Sequence, residues 1–364
     1  MHIGVVGGGQ LGRMLGLAGI PLGFRFTFLD PSPEAGAGAV GELLVAGYDE
    51  EHALDQLRDE CDVVTYEFEN VPATSARYLT ERVPVWPPPR ALGVAQDRMA
   101  EKQAFESAGL TVPSYRSVDS DDDIRAAAAD LGSPLVVKTR REGYDGKGQR
   151  VISSEGDIAG TCGALGAVPL IAESFVDFDR ELSLIAVRST TGEQAFYPLV
   201  ENTHHEGILR TARPAPAADA LQEVAEQLAS SLLDALGYAG VLTIEMFEVA
   251  GELLGNEMAP RVHNSGHWTI EGSVTSQFEN HLRAITGLPL GSTATTGSPF
   301  MLNLIGEIPD PEDVLGVPGA HLHLYGKSAR PGRKVGHVTV CAEDDASLTR
   351  TVHALAGLPG TWQG

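Results

Sequence analysis

Short apolar runs and helical patterns alternate along the first ninety residues. Runs rich in β-branched and aromatic residues predict strands at 2–6, 24–30, 43–47, 61–67 and 83–86. Apolar positions at helical spacing predict helices at 50–60 and 73–81. Strands that alternate with helices favour an open, parallel α/β sheet with helices on its faces.

The sequence WPPPR, residues 86–90, interrupts this pattern. Three consecutive prolines are unsuited to the interior of a sheet or a helix, so they predict a linker and a domain boundary near residue 95. A helical pattern follows from 96 to 109, with Asp97 as its cap and Gly109 as its stop. Arg98 lies in the first turn, where a cation opposes the helix dipole, and this placement suggests a phosphate ligand.

The stretch 241–259, VLTIEMFEVAGELLGNEMA, predicts a β-hairpin that turns near residue 250. A two-residue turn would pair Glu245 with Asn256 and place Glu257 on the opposite face of the sheet. A three-residue loop would instead pair Glu245 directly with Glu257. Like charges opposite each other destabilise a sheet, but Mg²⁺ binds one or two protein carboxylates and would favour this pairing. The alternative is one solvent-facing acid and one at a strand edge.

A dense group of polar side chains follows the hairpin at once: Arg261, His263, Asn264 and His267. That density is unusual for a simple connection. Near the C-terminus, HLHLYGKSARPGRKVGH carries a second group, with the basic residues Lys327, Arg330, Arg333, Lys334 and His337. Glycines and a proline within it indicate a shaped loop that suits one phosphate group, although a solvated basic face is the alternative.

Two glycine-rich turns suggest anion binding. Gly7, Gly9 and Gly12 follow the first strand with the G-x-G-x-x-G spacing, and Asp30 follows the second strand. This arrangement raises the possibility of a nicotinamide enzyme, but glycines at such a turn serve any ligand that approaches the backbone closely. Glu67, Glu69 and Asn70 follow a later strand, at the sheet end where ligands usually bind. Helix capping before Pro72 is the alternative.

A second glycine-punctuated loop joins two predicted strands in SPLVVKTRREGYDGKGQRVIS. Lys138 lies in the first of these strands, and Lys147 adds charge between the loop glycines. Backbone N–H groups of such a loop can enclose phosphates, although this loop opens no helix and is not a Walker sequence. An ordinary flexible hairpin tip is the alternative.

Further polar residues lie on the strands that follow. Glu173 and Val176 suit the edge of an adenine ring, and Glu181 suits ribose hydroxyls, although each acid is as easily a surface residue. His204, in ENTHHEG, is predicted to lie in a loop, where a lone histidine is more often structural.

Composition narrows the function classes. A chain of 364 residues predicts two or three domains, and no segment is long and apolar enough to span a membrane. The chain has 49 acidic and 26 basic residues, and its net charge of −23 disfavours nucleic acid and anionic membranes as partners. Three widely spaced cysteines and the absence of a charged leader predict a reducing cytoplasm.

The motifs together resemble one family. GGGQLGRM, TYEFENVP, KTRREGYDGKGQ, the ESFV segment, NEMAPRVHNSGHW and YGKSARPGRKVGH occur in the order found in the 5-(carboxyamino)imidazole ribonucleotide synthases, the bicarbonate-using ATP-grasp ligases of purine biosynthesis. The resemblance covers nearly the whole chain, and GRKVGH distinguishes this family from related ATP-grasp carboxylases and formyl transferases. One departure is Glu142, where the family pattern has glycine.

The resemblance implies a pre-ATP-grasp open parallel α/β domain at 1–95, a two-lobed α+β ATP-grasp region at 96–290 and a C-terminal subdomain at 291–364. The small lobe would cover 110–172 and the large lobe 173–290. It also implies a homodimer whose substrates are small molecules: ATP, bicarbonate and aminoimidazole ribonucleotide.

The resemblance also assigns residues, through the motifs that carry them. The nucleotide contacts would be Arg98, Lys138, Gly143, Tyr144, Asp145, Gly146, Lys147, Gly148, Gln149, Glu173, Ser174, Phe175, Val176, Glu181, His204, Asn256 and Glu257. Two Mg²⁺ ions would use Glu245 and Glu257. Bicarbonate or carboxyphosphate would contact Arg261, His263 and Asn264, with Lys138 and Asp145 also catalytic. Aminoimidazole ribonucleotide would contact Gln10, Glu67, Tyr144, Asp145, Lys327, Arg330, Arg333 and Lys334.

The implied activity is an ADP-forming carboxylation. Bicarbonate would attack the γ-phosphate of ATP, and the substrate amine would capture the carboxyl group of carboxyphosphate. The alternatives are a formate-using glycinamide ribonucleotide transformylase, a biotin-carboxylase-like ligase, a nicotinamide-dependent reductase and a catalytically silent nucleotide-binding module.

Overall fold

The structure is a computed structural model that describes residues 1–143, 146–215 and 220–362. The strands in these residues form three sheets. An N-terminal sheet comes first, a small sheet follows, and a large sheet runs from the middle of the chain to its C-terminal region. The site lies where the three meet.

The N-terminal sheet is parallel, with the order β3-β2-β1-β4, which confirms the open α/β prediction. Its strands are β1 (His2–Val6), β2 (Arg25–Asp30), β3 (Glu42–Val45) and β4 (Val63–Tyr66). Its helices are α1 (Gln10–Gly19), α2 (Glu51–Glu60) and α3 (Ala73–Leu79). The predicted strand at 83–86 makes only a single bridge, from Val85 to Val64.

The linker prediction at WPPPR is wrong in part. Pro88 caps a helix and Pro89 is its first residue, so the prolines begin α4 (Pro89–Ala95). Proline is tolerated there because the first helical N–H has no partner within the helix. The next helix, α5 (Arg98–Ser107), begins as predicted, because the Asp97 carboxylate accepts a hydrogen bond from the Met99 amide at 3.0 Å.

The small sheet has the order β5-β8-β6-β7, and all of its pairings are antiparallel. Its elements are β5 (Tyr115–Val118), α6 (Asp121–Leu131), β6 (Leu135–Thr139), β7 (Gln149–Ile152), α7 (Thr161–Ala164) and β8 (Leu170–Ser174). Lys138 pairs with Gln149 across the base of the glycine loop. The boundary expected between residues 172 and 173 falls inside β8.

The large sheet is antiparallel and has the order β14-β13-β9-β11-β12-β15-β17-β16, with β10 at the side of β9. Its strands are β9 (Arg180–Arg188), β10 (Gln194–Phe196), β11 (Val200–His205), β12 (Ile208–Pro214), β13 (Gly240–Val249), β14 (Glu252–Ala259), β15 (Ser298–Ile305), β16 (Ala320–Leu324) and β17 (Lys334–Ala342). The strands after residue 291 therefore extend the sheet of the large lobe, through the pairing of β12 with β15.

The remaining helices flank this sheet: α8 (Gln222–Leu236), α9 (Thr269–Gly272), α10 (Gln277–Thr286), α11 (Pro311–Leu315) and α12 (Asp345–Leu355). Alternate residues of β9 belong to different cores. Ile185 packs in a core shared with the N-terminal domain, whereas Leu184 packs in a core with α5 and α8. The sheet is thus covered on both faces. No helix within the described ranges is both long and apolar enough to cross a bilayer.

Candidate active site

Two connected cavities lie between the three sheets. The larger has a volume of about 800 Å³ and the smaller about 360 Å³. Seven described residues line both: Arg98, Lys147, Glu245, Glu257, His263, Asn264 and Lys334. Most of them are charged, and they include both hairpin glutamates.

The two predicted groups of ligand contacts separate between the cavities. Lining residues of the smaller cavity include Lys138, Gly146, Gln149, Glu173, Ser174, Phe175, Val176, Glu181, His204 and Asn256. Lining residues of the larger cavity include Gln10, Glu67, Gly143, Arg261, Lys327, Arg330 and Arg333. The expected nucleotide contacts thus mostly face the smaller cavity, and the expected ribonucleotide contacts face the larger one.

Among the described residues, one predicted contact does not join these walls. Gly148 lines neither cavity; its carbonyl accepts a hydrogen bond from the Thr139 amide at 2.7 Å, at the base of the loop. Its backbone has a φ of 73°, which favours glycine. Tyr144 and Asp145 lie outside the described residues.

The hairpin brings Glu245 and Glu257 together, but by a route that the sequence analysis did not anticipate. The turn has two residues, Ala250 and Gly251, both with positive φ, so the expectation of a three-residue loop is wrong. A β-bulge compensates: Glu245 pairs with Glu257, and Asn256 is the extra residue. Because a bulge places two residues opposite one, it restores the pairing that the short turn would have shifted.

A guanidinium and an imidazole contact the glutamate pair. The Arg98 guanidinium donates to Glu257 at 2.9 Å, and His263 Nε2 lies 3.1 Å from Glu245 Oε1. Burial and the charge of Glu257 raise the pKa of Glu245 to about 7. Burial opposes ionisation of Glu257 too, but Arg98 and Lys138 outweigh it and lower the pKa of that carboxyl. The two glutamates together therefore hold more negative charge than the site easily supports without a cation.

The donor set suits Mg²⁺. Two carboxylates lie side by side at the junction of the cavities, and the side chain of Glu257 keeps 42% of its surface open. Among the described residues, no cluster of three or more acidic, histidine or cysteine side chains forms a closed metal cage. Mg²⁺ commonly takes only one or two protein carboxylates and completes its shell with water and substrate phosphates.

Glu173 lies at the inner wall of the smaller cavity, held by two lysines. Lys138 donates to its Oε2 at 2.9 Å, and Lys102 lies 3.5 Å from the same oxygen. Burial opposes ionisation, but the two ammonium groups lower the pKa of Glu173 to about 2. Its other oxygen is buried and has no partner among the described residues. This carboxylate is therefore a charged acceptor with one oxygen available to a ligand.

His204 lies on β11, not in a loop as predicted. Its Nδ1 is 2.5 Å from Glu181 Oε2. Burial disfavours the protonated ring, but the bond to Glu181 and the nearby charge of Glu245 raise the pKa of His204. The pair therefore forms one polar wall of the smaller cavity.

Arg261 is held by Glu69, one of the polar residues singled out after the fourth predicted strand, and Asn264 is held by Asn303, which the sequence analysis missed. The Arg261 Nε donates to the Glu69 carboxylate, and Arg261 Nη1 donates to the Val262 carbonyl at 2.9 Å. Burial disfavours the cation, but Glu69 raises the pKa of Arg261. Asn264 and Asn303 exchange amide hydrogen bonds at 2.7 and 3.0 Å. Glu69 stands in the TYEFENVP motif, whereas no local signal marks Asn303.

The N-terminal glycine turn is filled by the protein itself. The Glu67 carboxylate accepts from the amides of Gly9 and Gly12, at 2.9 and 3.0 Å. Asp30 accepts from the Gly8 amide at 2.9 Å. A dinucleotide would need these same amides for its pyrophosphate and this acid for its ribose, so the geometry disfavours the nicotinamide alternative. The Glu67 carboxylate instead shapes the turn that carries Gln10.

The basic loop closes the far side of the larger cavity. Lys327 Nζ donates to Gln10 Oε1 at 2.5 Å, which joins the C-terminal region to the N-terminal domain. Arg333 Nη1 donates to the hydroxyl of Ser328 at 2.9 Å, which braces the loop. Burial and the charges of Arg261 and Lys334 depress the pKa of His263 well below its usual range. This end of the cavity is thus strongly positive in an acidic protein.

Glu142 has a φ of 64°, the left-handed region in which glycine is favoured. The resemblance predicted glycine at this position, so the structure gives the departure a physical meaning: the loop keeps the backbone conformation without the residue best suited to it.

Three family models match the chain: the ribonucleotide synthetase preATP-grasp domain at residues 1–96, the ATP-grasp domain at 103–278 and the phosphoribosylaminoimidazole carboxylase C-terminal domain at 300–351. N5-carboxyaminoimidazole ribonucleotide synthase from Pseudomonas aeruginosa is 52% identical over 358 residues, which cover 98% of this chain and 99% of the relative.

Solved structures match over the whole length. N5-carboxyaminoimidazole ribonucleotide synthetase from Thermus thermophilus is 54% identical with a TM-score of 0.95, covering 100% of this chain and 99% of that one. N5-carboxyaminoimidazole synthase from Aspergillus clavatus, in complex with ADP and 5-aminoimidazole ribonucleotide, is 32% identical with a TM-score of 0.89. That match covers 97% of this chain and 98% of the other.

Proposed function

The chain belongs to the N5-carboxyaminoimidazole ribonucleotide synthases, and from that premise we propose how its residues carry out the reaction of the family. The protein is an ADP-forming ATP-grasp ligase that carboxylates 5-aminoimidazole ribonucleotide in purine biosynthesis. Bicarbonate is the carboxyl source in our proposal, and carboxyphosphate is the intermediate.

One observation carries the assignment of roles: Glu245 and Glu257 lie at the junction of two cavities that differ in character. The smaller cavity has a carboxylate acceptor and apolar walls, including the stacked rings of Phe178 and Phe247, which suit a purine base. The larger one ends in a basic loop, which suits a monophosphate. A triphosphate that enters from the smaller cavity would therefore point its γ-phosphate toward the second substrate.

The nucleotide is bound by both lobes in this proposal. Glu173 accepts from the adenine amine through its available oxygen, and the backbone of Ser174 to Val176 borders the ring. Glu181 and His204 face the ribose. Arg98, Lys138 and Lys147 offset the charge of the phosphates, and Gly143 and Gly146 let the loop backbone approach them.

Mg²⁺, in our proposal two ions, would be held by Glu245 and Glu257. When bound, it would offset negative charge on the triphosphate and help to orient it. The side chains Arg98 and His263, which contact the two carboxylates, hold them in place for this role.

Arg261, His263 and Asn264 position bicarbonate beside the γ-phosphate. An oxygen of bicarbonate attacks phosphorus, the bond to the bridging oxygen breaks, and ADP leaves. Arg261 reduces the repulsion between the two anions, and Glu69 holds its guanidinium in place. His263 is largely neutral, so it donates or accepts a hydrogen bond without adding charge.

Aminoimidazole ribonucleotide would lie in the larger cavity, with its phosphate against Lys327, Arg330, Arg333 and Lys334. Gln10, on the turn shaped by Glu67, would contact the remainder of the molecule. The amine then attacks the carboxyl carbon, or carbon dioxide released from it, and phosphate leaves. Asp145 and Tyr144, on the glycine loop, are proposed to orient this amine, with Asp145 accepting its proton.

We also propose that the protein is a cytoplasmic homodimer and that its domains divide near residues 95 and 290. The support for the division is the separate N-terminal sheet and the separate hydrophobic core that Leu302, Val314 and Leu355 share beyond residue 290.

The test is phosphate release with bicarbonate or formate, in the presence and absence of aminoimidazole ribonucleotide. We expect Mg-ATP hydrolysis to require bicarbonate and to be coupled to consumption of the ribonucleotide. Release that follows formate would support a formyl transferase instead. NADH should produce no thermal shift, because Glu67 and Asp30 occupy the amides that it needs.

A further inference from the structure

Lys102 is a fully buried lysine that touches two sheets at once. Its side chain on α5 is 0% exposed. The ammonium donates to the carbonyls of Gly255 and Asn256 at 3.3 and 2.9 Å, and it lies 3.5 Å from Glu173 Oε2. The carbonyls belong to β14 of the large sheet, whereas Glu173 belongs to β8 of the small sheet. The three N–H bonds of the ammonium thus match three acceptors.

The two carbonyls belong to the β-bulge that places Glu257 beside Glu245: Asn256 is its extra residue, and Gly255 precedes it. Since β14 is an edge strand, its bulged backbone has no neighbouring strand on its outer side. Residues of α5 and of the loop that follows α5 form hydrogen bonds to this backbone instead. Glu101 accepts from the Met258 amide at 2.6 Å, and the Thr111 carbonyl accepts from the Gly255 amide at 2.8 Å. Lys102 supplies the matching donors for the bulge itself.

A buried lysine is a costly way to stabilise a fold. Removing an ammonium from water is unfavourable, and apolar side chains of similar volume often stabilise a fold as well or better. Methionine would fill the same volume but would leave the two bulge carbonyls without a donor. The contacts of Lys102 therefore suggest a role in geometry rather than in packing.

We propose that Lys102 is a positioning residue, which fixes the bulge of β14 against the carboxylate of the adenine pocket and so sets Glu257 for metal binding. This inference rests on the proposed function, because it takes Glu245 and Glu257 as the metal ligands. In this role one ammonium group keeps the nucleotide base site and the metal site at a constant separation.

The experiment uses Lys102→Met in the full-length protein, with Mn²⁺ binding measured by electron paramagnetic resonance in the presence of a non-hydrolysable ATP analogue. We expect the Kd for Mn²⁺ to rise about tenfold or more, the size of effect seen when residues that orient metal ligands are removed. Amide exchange in the peptide covering residues 253–259 should accelerate, and the KM for aminoimidazole ribonucleotide should stay unchanged.

The matched control is Leu233→Val on α8, which loosens the hydrophobic core that Leu233 shares with Phe105 of α5 and removes no hydrogen bond to the bulge. It should lower Tm and leave the Kd for Mn²⁺ unchanged. If it weakens Mn²⁺ binding as much as Lys102→Met does, general destabilisation explains the effect and the proposal is wrong.

An unchanged Kd for Mn²⁺ in a folded Lys102→Met protein also overturns the proposal. Should that variant not fold, Lys102→Gln decides, because its shorter, neutral amide has two N–H donors for the three acceptors and no charge to face Glu173. A weakened Kd supports the role, and a wild-type Kd refutes it. Failure of the proposed function gives a different result from failure of this inference: the wild-type protein itself would then show no Mn²⁺ binding that depends on the nucleotide analogue.

Discussion

Arg261 and Glu69 form a side-chain ion pair across 192 positions of the sequence. The arginine follows the central hairpin of the large sheet, and the glutamate follows β4 of the N-terminal sheet. This contact holds the guanidinium at the wall of the larger cavity, where the proposed reaction brings two anions together. Both partners are largely buried, so the pair is protected from screening by salt.

Replacing Arg261 by alanine should abolish most phosphate transfer and spare nucleotide binding. We expect ADP formation to fall by about 10²–10³-fold, because a fixed donor that offsets transition-state charge is lost. The Kd for Mg-ATP should remain near the wild-type value, since Arg261 lines only the larger cavity. Steady-state ADP release and calorimetric ATP binding measure the two effects.

The control is Arg283→Ala, which removes an arginine from a pair with Glu279 on α10, outside both cavities. That variant should keep its activity. Near-normal turnover by Arg261→Ala would remove this residue from the mechanism.

Charge reversal in the basic loop should separate the two substrates. Arg330 lines only the larger cavity, whereas Lys334 lines both. Arg330→Glu should raise the KM for the ribonucleotide about tenfold or more, the cost of losing one charge-assisted contact to its phosphate, and leave the KM for ATP unchanged. Lys334→Glu should mainly raise the KM for the ribonucleotide, with a smaller rise for ATP.

Arg350→Glu, on the C-terminal helix α12, is the matched reversal away from the site, and it should change neither KM. An unchanged ribonucleotide KM in both loop variants would mean that the basic loop is only a solvated face.

Glu173→Gln should reduce stability in a pH-dependent way. The two lysines lower the pKa of Glu173 from 4.5 to about 2 in the folded protein, so the folded state favours the charged form. The stabilisation is present above pH 4.5 and is lost as the pH falls toward 2. At pH 7 the wild type should exceed the variant by about 3 kcal/mol, the equivalent of this shift.

Denaturant titration from pH 7 to pH 3 measures the difference. It should shrink steadily below pH 4.5. For Leu233→Val, which changes no titratable group, the difference from wild type should stay constant. If the difference in unfolding free energy between wild type and Glu173→Gln is equally constant, the charge of Glu173 beside the two lysines does not stabilise the fold.

Ala250→Asn should stabilise the central hairpin. Ala250 has a φ of 51° at an exposed position of a two-residue turn, where asparagine and glycine are favoured over alanine. We expect a gain of about 1 kcal/mol in the free energy of unfolding, the usual cost of a left-handed alanine. Ala250→Val should have the opposite effect, because a β-branched residue tolerates this conformation worst. Equal midpoints for the two variants would contradict the assigned turn.

The sequence by itself determined the local elements and the chemistry that they carry. Residue periodicity predicted the parallel N-terminal sheet, the hairpin at 241–259 and the strands around the glycine loop, because side-chain alternation and turn residues act over short distances. The order of the motifs indicated the family, and the basic cluster near the C-terminus stood out against the acidic chain.

Only the tertiary structure decided how distant groups combine. The two-residue turn alone would have placed Glu245 and Glu257 on opposite faces of the sheet. A bulge in β14, whose carbonyls accept hydrogen bonds from Lys102 on α5, brings them together. Likewise, the N-terminal glycine turn resembles a dinucleotide site in sequence, yet Glu67, 55 positions from Gly12, occupies it in the folded chain. Such pairings depend on burial and on charges brought together by folding, and these are long-range quantities that no local pattern of residues contains.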